Sequence, residues 1–350
     1  MTATPHGPLR HVLIHLVTPL LMCLGMGLAY MSAFVTPEPH DLPVAVVGTD
    51  ARAHAFARSV ADGAGDALDV RTLGSRAEAV DALKSLDISG AYVPDAKSPE
   101  LLVASAGSDM SALATEKAFT PVAAAQGMPL KITDVAAPVD DDPTGQGLFF
   151  LLVAVSIGSY ASVAALGAAG AGLRMRTRAA LAAGVSFAVS LIGAALAGPV
   201  FHLAHHGLAG VWAMAWLYSA GILFIGLGLH TFLKRWTTLA MMVLFVMLNF
   251  TSSGGLFRPE LQNGFYGSLH SFWNGAGFVE GVRGHLYFAG HDLARSVWTL
   301  LAWLTAGLVL TAVAALTERR RAAVDTPGDA VEEETDEAGE EEEMEESVGV

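Results

Sequence analysis

Charged residues and cysteine are both scarce in this sequence. Only 15% of its 350 residues are charged, whereas soluble domains carry about a quarter. The one cysteine, Cys23, excludes an intramolecular disulfide and a metal cluster of thiolates. The chain also lacks the motifs H-E-x-x-H, G-x-S-x-G and Walker A. We therefore expect no enzymatic residue, no cofactor and no ATPase activity of its own.

The acidic charge is concentrated at the C-terminal end. The formal net charge is −14, but the run Glu332–Glu346 holds eleven acidic and no basic residues, which leaves −3 for the rest of the chain. Nucleic acid requires a basic surface, so we expect no nucleic-acid partner. Residues 318–350 are predicted to be a disordered, solubilising cytoplasmic tail, with weak binding of a basic partner or of divalent ions as the alternative.

Long apolar runs indicate that this chain is embedded in a lipid bilayer. A bilayer core about 30 Å thick requires about 20 apolar residues in a helix, and six runs meet or approach that length. We predict an α-helical polytopic membrane protein with six transmembrane helices: Val12–Val35, Gly147–Leu173, Ala179–Val200, Val211–Leu233, Trp236–Thr251 and Ser296–Thr317. The first run, within residues 1–35, is longer than a signal-peptide core and is interpreted as a retained anchor.

Basic residues near the ends of the runs predict the orientation. Nine of them lie on one set of flanks: Arg10, Arg174, Arg176, Arg178, Lys234, Arg235, Arg319, Arg320 and Arg321. The opposite loop, 201–210, contains no Lys or Arg. The positive-inside rule then puts both termini in the cytoplasm and residues 36–146 outside. The high Ala and Gly content, with 15 Arg against 5 Lys, suggests a GC-rich bacterial genome, so we expect the membrane to be a bacterial cytoplasmic membrane.

Residues 36–146 have the pattern of a small extracytoplasmic α/β domain. Helical patterns alternate with five candidate strands: 42–48, 67–73, 88–94, 101–107 and 130–136. The helix over 110–127 is expected to be disturbed at Pro121. No phosphate-binding glycine loop follows the first strand. The domain is interpreted as structural or partner-docking, with ligand binding as the alternative.

Three clustered histidines are the weak metal candidates: His202, His205 and His206. On a helix, the i, i+3 spacing would put two of them on one face. No nearby cysteine or carboxylate is apparent to complete a zinc or copper site. They are interpreted as interfacial histidines, with metal binding as the alternative.

The stretch between the last two runs is the most unusual one. Residues 249–265, NFTSSGGLFRPELQNGF, break a hydrophobic run with Ser, Gly and Pro, and the aromatic stretch that follows is too polar to span. Irregular backbone at membrane depth is tolerated only where protein or water satisfies its polar groups. We predict a re-entrant helical hairpin over about 252–292, with these candidate pathway residues: Asn249, Ser253, Gly254, Gly255, Phe257, Pro259 and Glu260.

The same stretch resembles the end region of type-2 ATP-binding-cassette (ABC) exporter permeases, and more closely the YhgE/Pip (phage-infection-protein-like) family. Six residues match that family's S-G-G-x-F-P-x-E pattern, with Arg258 inserted before the proline: Ser253, Gly254, Gly255, Phe257, Pro259 and Glu260. LPVAVVGTD, residues 42–50, is similar to the family's first strand after span one, with Gly48 where Asn is common. The layout matches over about 10–317.

The resemblance implies a permease domain over 147–317 that moves a hydrophobic or amphipathic substrate out of the cytoplasm or the inner leaflet. It implies a homo- or heterodimer in membrane lipid, with a separate ATPase subunit as candidate partner. The alternative is a non-transporting membrane scaffold or secretion-associated protein whose outer domain binds an extracellular partner.

Overall fold

A computed structural model describes residues 6–324 apart from Ala96 and Ala171. The predicted disordered tail, 318–350, begins within a helix that ends at Val324, so its first seven residues are helical, and the rest of it lies outside this part of the chain. The described fold is mostly helical. Four of its helical stretches are long and apolar enough to cross a membrane: Gly147–Ala169, Met175–Val200, Leu208–Ser252 and Leu293–Arg321.

Nine of the described helices make up the helical part of the fold. They are α1 (His6–Phe34), α5 (Gly147–Ala169), α6 (Met175–Ala195), α7 (Leu208–Leu233), α8 (Thr237–Met242), α9 (Leu248–Ser252), α10 (Gly264–His270), α11 (Asn274–Tyr287) and α12 (Leu293–Val324). A π turn extends α6 over Leu196–Val200, and another joins α8 to α9 over Val243–Met247.

The four candidate spans differ from the six runs of the sequence for two reasons. The first run falls on α1. The continuous part of α1 whose side chains are described is Pro19–Phe34, and this apolar stretch is too short to count as a span. The fourth and fifth runs are joined in the 45-residue stretch Leu208–Ser252.

That 45-residue stretch reverses direction at its middle. Lys234 ends α7 with a φ of +47°. After this turn, the Asn249 side-chain amide of α9 donates a 2.6 Å hydrogen bond to the Tyr218 hydroxyl of α7. Thirty-one residues separate the two in sequence, about 46 Å along one straight helix. The run α8–α9 therefore folds back along α7.

Glycines bring α7 and α12 into backbone contact. A Cβ atom on Gly228 of α7 would lie 2.8 Å from the Leu310 carbonyl carbon of α12. A Cβ atom on Gly307 of α12 would lie 2.9 Å from the Ile225 amide nitrogen of α7. Small residues allow such close approach of apolar helices. The Thr311 hydroxyl also donates to the Phe224 carbonyl at 2.8 Å.

A five-stranded mixed sheet lies between α1 and α5 in the chain. Its strands are β1 (Leu42–Val47), β2 (Leu68–Leu73), β3 (Gly90–Val93), β4 (Glu100–Val103) and β5 (Lys131–Asp134), in the order β2-β1-β3-β4-β5. β3 and β4 are antiparallel, and the other neighbours are parallel. Three helices accompany it: α2 (Ala51–Ala64), α3 (Arg76–Lys84) and α4 (Asp109–Ala125).

Both faces of the sheet are buried at its centre, whereas the edge strand β5 is mostly exposed. Leu42 and Val44 of β1 pack with Phe119 of α4 on one face. Ala45 packs with Leu83 of α3 on the other face. Phe288, the residue that follows α11, joins the same core. The helical part therefore supplies a side chain to the sheet's own core and fixes the sheet against α11.

Helix α4 continues through Pro121 instead of being disturbed there. A proline inside a helix costs about 3 kcal/mol through its missing N–H and its ring. Here Phe119 and Ala123, on either side of the proline, are fully buried, and the Phe119 ring stacks on Tyr92 at 5.4 Å. Packing of that face outweighs the lost hydrogen bond.

Candidate functional site

Residues 252–292 form two short helices, of which α11 packs inside the helical part and α10 is partly exposed. After α9 the chain makes a glycine turn, one 3₁₀ turn at Pro259–Leu261, and then α10 and α11. Nearly all of α11 is buried, although it contains four glycines, an asparagine and an arginine. It packs against α12, α7 and α5. Protein therefore surrounds a polar segment that sequence alone marks as an interruption.

The glycine turn, which contains the predicted S-G-G motif, contacts side chains of α10 and α11. Gly254 has a φ of +72°, a left-handed conformation that favours glycine. Its carbonyl accepts a 3.0 Å hydrogen bond from the Arg283 guanidinium. The Ser252 carbonyl lies 3.0 Å from Nδ1 of His270. The freed carbonyls at the end of α9 are thus satisfied by side chains from both later helices.

Glu280 of α11 is the centre of a buried charge cluster. Its carboxylate accepts a 2.5 Å hydrogen bond from Arg283, and it lies 3.7 Å from the Arg258 guanidinium and 3.8 Å from Nε2 of His270. Arg258 also lies 3.6 Å from Glu260. We call these five residues the charge cluster. The Arg283 side chain is only 3% exposed, so its charge depends on Glu280 for compensation.

The pKa values of the charge cluster follow from this geometry. Glu280 lies outside the four candidate spans. Burial alone would raise the pKa of Glu280, but the positive charges of Arg283 and Arg258 outweigh it and lower the pKa to about 2. Burial lowers the pKa of His270 below its usual value, although Glu280 opposes that shift. The cluster is therefore a carboxylate between two guanidinium groups, beside an uncharged imidazole near neutral pH.

A cavity of about 250 Å³ opens beside the charge cluster. Arg258, Glu260, His270 and Glu280 line it from the helical part, and the turn 85–87 after α3 lines it from the sheet. The cavity therefore lies where the sheet and the helical part meet. Its polar, mixed-charge lining can hold water or a small polar group that carries both donors and acceptors.

The other predicted pathway residues fix the segment to its neighbours. Gly255 packs on Phe149 of α5, where a Cβ atom would lie 2.8 Å from the ring. The Phe257 ring contacts Phe34 of α1 with ring centres 5.6 Å apart. Pro259 begins the 3₁₀ turn, and the Glu260 carbonyl accepts from the His40 amide at 2.8 Å. These residues connect the turn to α1, α5 and the strand β1 that follows His40.

A chain of buried polar side chains continues from Asn249 into the centre of the helical part. The Tyr218 hydroxyl accepts from Asn249 at 2.6 Å and is 2.5 Å from the Ser156 hydroxyl of α5. The Asn274 amide of α11 lies 3.4 Å from the Tyr218 carbonyl. Each of these four residues is fully buried. Within the described residues, the side-chain oxygens of Asn249 and Asn274 have no hydrogen-bond partner.

We expect the Tyr218→Phe substitution to reduce the free energy of unfolding by about 1–3 kcal/mol, because the buried Asn249 amide donor and the buried Ser156 hydroxyl oxygen, whose own proton goes to the Leu152 carbonyl, both lose their partner. Thermal unfolding of the purified chain in detergent measures this. Tyr160→Phe is the matched control. Tyr160 is half-buried on the same helix as Ser156, and its hydroxyl forms no hydrogen bond with the described residues. Equal stability of the two variants would contradict a structural role for the buried polar chain.

The three clustered histidines do not share a helical face, contrary to the sequence prediction. They lie in the loop between the π turn of α6 and α7, and His202 has a φ of +52°. His205 lies 3.8 Å from Asp141, a carboxylate that the sequence pattern did not indicate, and both side chains are more than half exposed. No group of three or more His, Cys, Asp or Glu with metal-binding geometry occurs among the described residues.

Sequence reasoning missed most of the charge cluster. It singled out Glu260 and the glycines, but not Glu280, Arg283 or His270, which contact the same turn. The i, i+3 spacing of Glu280 and Arg283 was the available signal. The resemblance to YhgE/Pip proteins stays a prediction on the motif residues. Comparisons with protein-family models, with curated proteins and with solved structures found no match to this chain.

Proposed function

We propose that this chain is a permease-like membrane subunit of an ABC-type exporter that moves a hydrophobic or amphipathic substrate outward. The single observation that carries the proposal is the polar segment 252–292. Its second helix, α11, is buried among apolar helices, and the segment holds the charge cluster and the end of the buried polar chain. Buried charge and irregular backbone between apolar helices are costly, and they mark substrate or ion pathways in membrane proteins.

The finer arrangement is part of the same proposal. Six helical segments cross the bilayer of a bacterial cytoplasmic membrane, with both termini inside and the sheet outside. The reversal at Lys234 supports two crossings within Leu208–Ser252, and α1 supplies the sixth crossing. The segment 252–292 is re-entrant from the outer side. Two copies form the working unit with a separate ATPase.

Gentle detergent extraction from the native host, followed by identification of bound proteins, tests the proposal. We expect an ATPase in stoichiometric amount, with ATP hydrolysis that is faster in the complex than in the ATPase alone. The Gly254→Ala variant should still bind the ATPase but lose most of the stimulation, because the turn that carries the pathway is displaced. Gly264→Ala is the control, since a Cβ atom there meets nothing within 4 Å.

A second function is favoured by a separate observation in the sheet. A crevice of about 560 Å³ opens at the carboxyl ends of β1 and β3, lined by residues 47–50 and 92–95. The chain leaves β1 for β2 on one side, and β3 pairs on the other side, so this is the switch point where open α/β sheets bind ligands. A scaffold or secretion-associated protein would use this crevice for an extracellular partner.

The same extraction separates the two functions. Recovery of a secretion component or a wall protein without an ATPase would favour the scaffold and count against the permease. Recovery of an ATPase whose hydrolysis responds to Gly254→Ala and not to Gly264→Ala would favour the permease.

A further inference from the structure

A second cavity lies at the other end of the helical part, away from the charge cluster. It has a volume of about 290 Å³ and is enclosed by the C-terminal end of α5, the C-terminal end of α7 and the start of α8. His230 packs against Gly167 there, since a Cβ atom on that glycine would lie 2.7 Å from the imidazole ring. The cavity therefore opens where α5 and α7 end.

Three basic side chains line this cavity: His230, Lys234 and Arg235. No acidic side chain is among its described lining residues. Neither Lys234 nor Arg235 forms an ion pair within residues 6–324 as described. The nearby carboxylate of Glu318 is already engaged, because Arg178 contacts it at 2.5 Å and Thr231 donates to it at 3.0 Å. The cavity thus carries uncompensated positive charge.

The rest of the cavity wall is apolar. Tyr160, Val163 and Ala164 of α5 and Met241 of α8 contribute to it. Ala164 and Ala168 of α5 are exposed and one turn apart, so the cavity is open on the side that these two small residues line. A ligand that fits must present an anionic group to Lys234 and Arg235 and an apolar body to α5 and α8.

We infer that this cavity binds the headgroup of an acidic phospholipid. Its phosphate contacts Lys234 and Arg235, and its glycerol and first acyl carbons lie against Ala164 and Ala168. Basic pockets between membrane helices recognise anionic headgroups in this way. The exposed apolar side chains on the outer surfaces of α1 and α12, such as Leu24 and Val309, are suited to the surrounding acyl chains. The inference does not depend on the transport proposal.

Native mass spectrometry of the purified full-length chain tests the site, with phosphatidylglycerol and phosphatidylcholine as probes. We expect phosphatidylglycerol to bind at least about tenfold more tightly than phosphatidylcholine, given the contribution of each basic residue near an anionic headgroup. The double variant Lys234→Gln with Arg235→Gln should weaken phosphatidylglycerol binding by about 30-fold. Its control is Arg174→Gln with Arg176→Gln, which removes two exposed arginines that do not line the cavity.

A second pair of variants tests the cavity without changing charge. Ala164→Leu with Ala168→Leu fills the open side and should abolish the preference for phosphatidylglycerol. Ala161→Leu with Ala165→Leu alters exposed positions on the same helix outside the lining and should keep it. Equal binding of the two lipids, or an equal loss in the Arg174 and Arg176 control, would overturn the inference. Displacement of the lipid by millimolar inorganic phosphate would assign a free-phosphate site instead.

Discussion

The Glu280→Gln substitution is expected to lower the free energy of unfolding by about 3–5 kcal/mol, because it leaves two buried guanidinium groups without their shared counter-charge. Arg283 is almost fully buried, and Arg258 retains only the 3.6 Å contact with Glu260. A loss of about 3 kcal/mol lowers a thermal unfolding midpoint by roughly 6–12 °C in a chain of moderate size. Tryptophan fluorescence of the purified chain in detergent measures the midpoint.

Two variants separate charge from local packing in this prediction. Glu38→Gln makes the same chemical change at an exposed residue that has no ion pair in the described structure, and its midpoint should stay within about 1 °C of the parent. Glu280→Asp keeps the charge and should lose less than half as much stability as Glu280→Gln. If Glu280→Gln unfolds at the same temperature as Glu38→Gln, Glu280 does not hold the two arginines together.

The Gly254→Ala substitution is expected to cost about 2–4 kcal/mol, of which about 1–2 kcal/mol comes from the left-handed backbone. The rest comes from crowding. The added Cβ atom would lie 2.6 Å from Cε1 of His270 and 2.9 Å from Oε1 of Glu280. Relief of these contacts moves His270 or Glu280 and weakens the charge cluster. Thermal unfolding and limited proteolysis of the segment 252–292 both report this loss.

Gly264→Ala provides the matched comparison for Gly254→Ala. Gly264 lies at the start of α10, has no positive φ, and would place a Cβ atom in open space. Alanine favours the helical conformation more than glycine does by about 1 kcal/mol, so Gly264→Ala should be neutral or slightly stabilising. A Gly254→Ala variant as stable as Gly264→Ala would show that the turn does not require glycine.

The local structure of the first half of the sheet could be read from the sequence because β1 and β2 are short runs rich in apolar and β-branched residues, each with a turn after it. β1 lies within LPVAVVG and β2 within ALDVRTL. Asp50 and Ser75, the residues that cap α2 and α3, follow these strands and mark the helix starts. The antiparallel pairing of β3 with β4 could not be read in the same way, because it depends on which strand edges meet.

In the candidate site, the glycine turn could be predicted from the sequence, but the side chains that contact it could not. Gly254 was identifiable because consecutive glycines after serines end a helix. The partners of that turn come from α10 and α11, 16 to 29 residues further on, where His270, Glu280 and Arg283 sit among glycines and aromatics and only the i, i+3 spacing of Glu280 and Arg283 gives a signal. Tyr218 was hidden for a different reason, since a tyrosine inside an apolar run looks like any other large core residue.

The backbone contact between α7 and α12 has a consequence for motion. If either helix slid by one turn, Leu310 or Phe224 would meet main chain where Gly228 and Gly307 now leave room. Packed helices shift between discrete arrangements and do not deform smoothly. The two helices therefore move as one rigid body. Any conformational cycle of this protein has to take place in the elements around them.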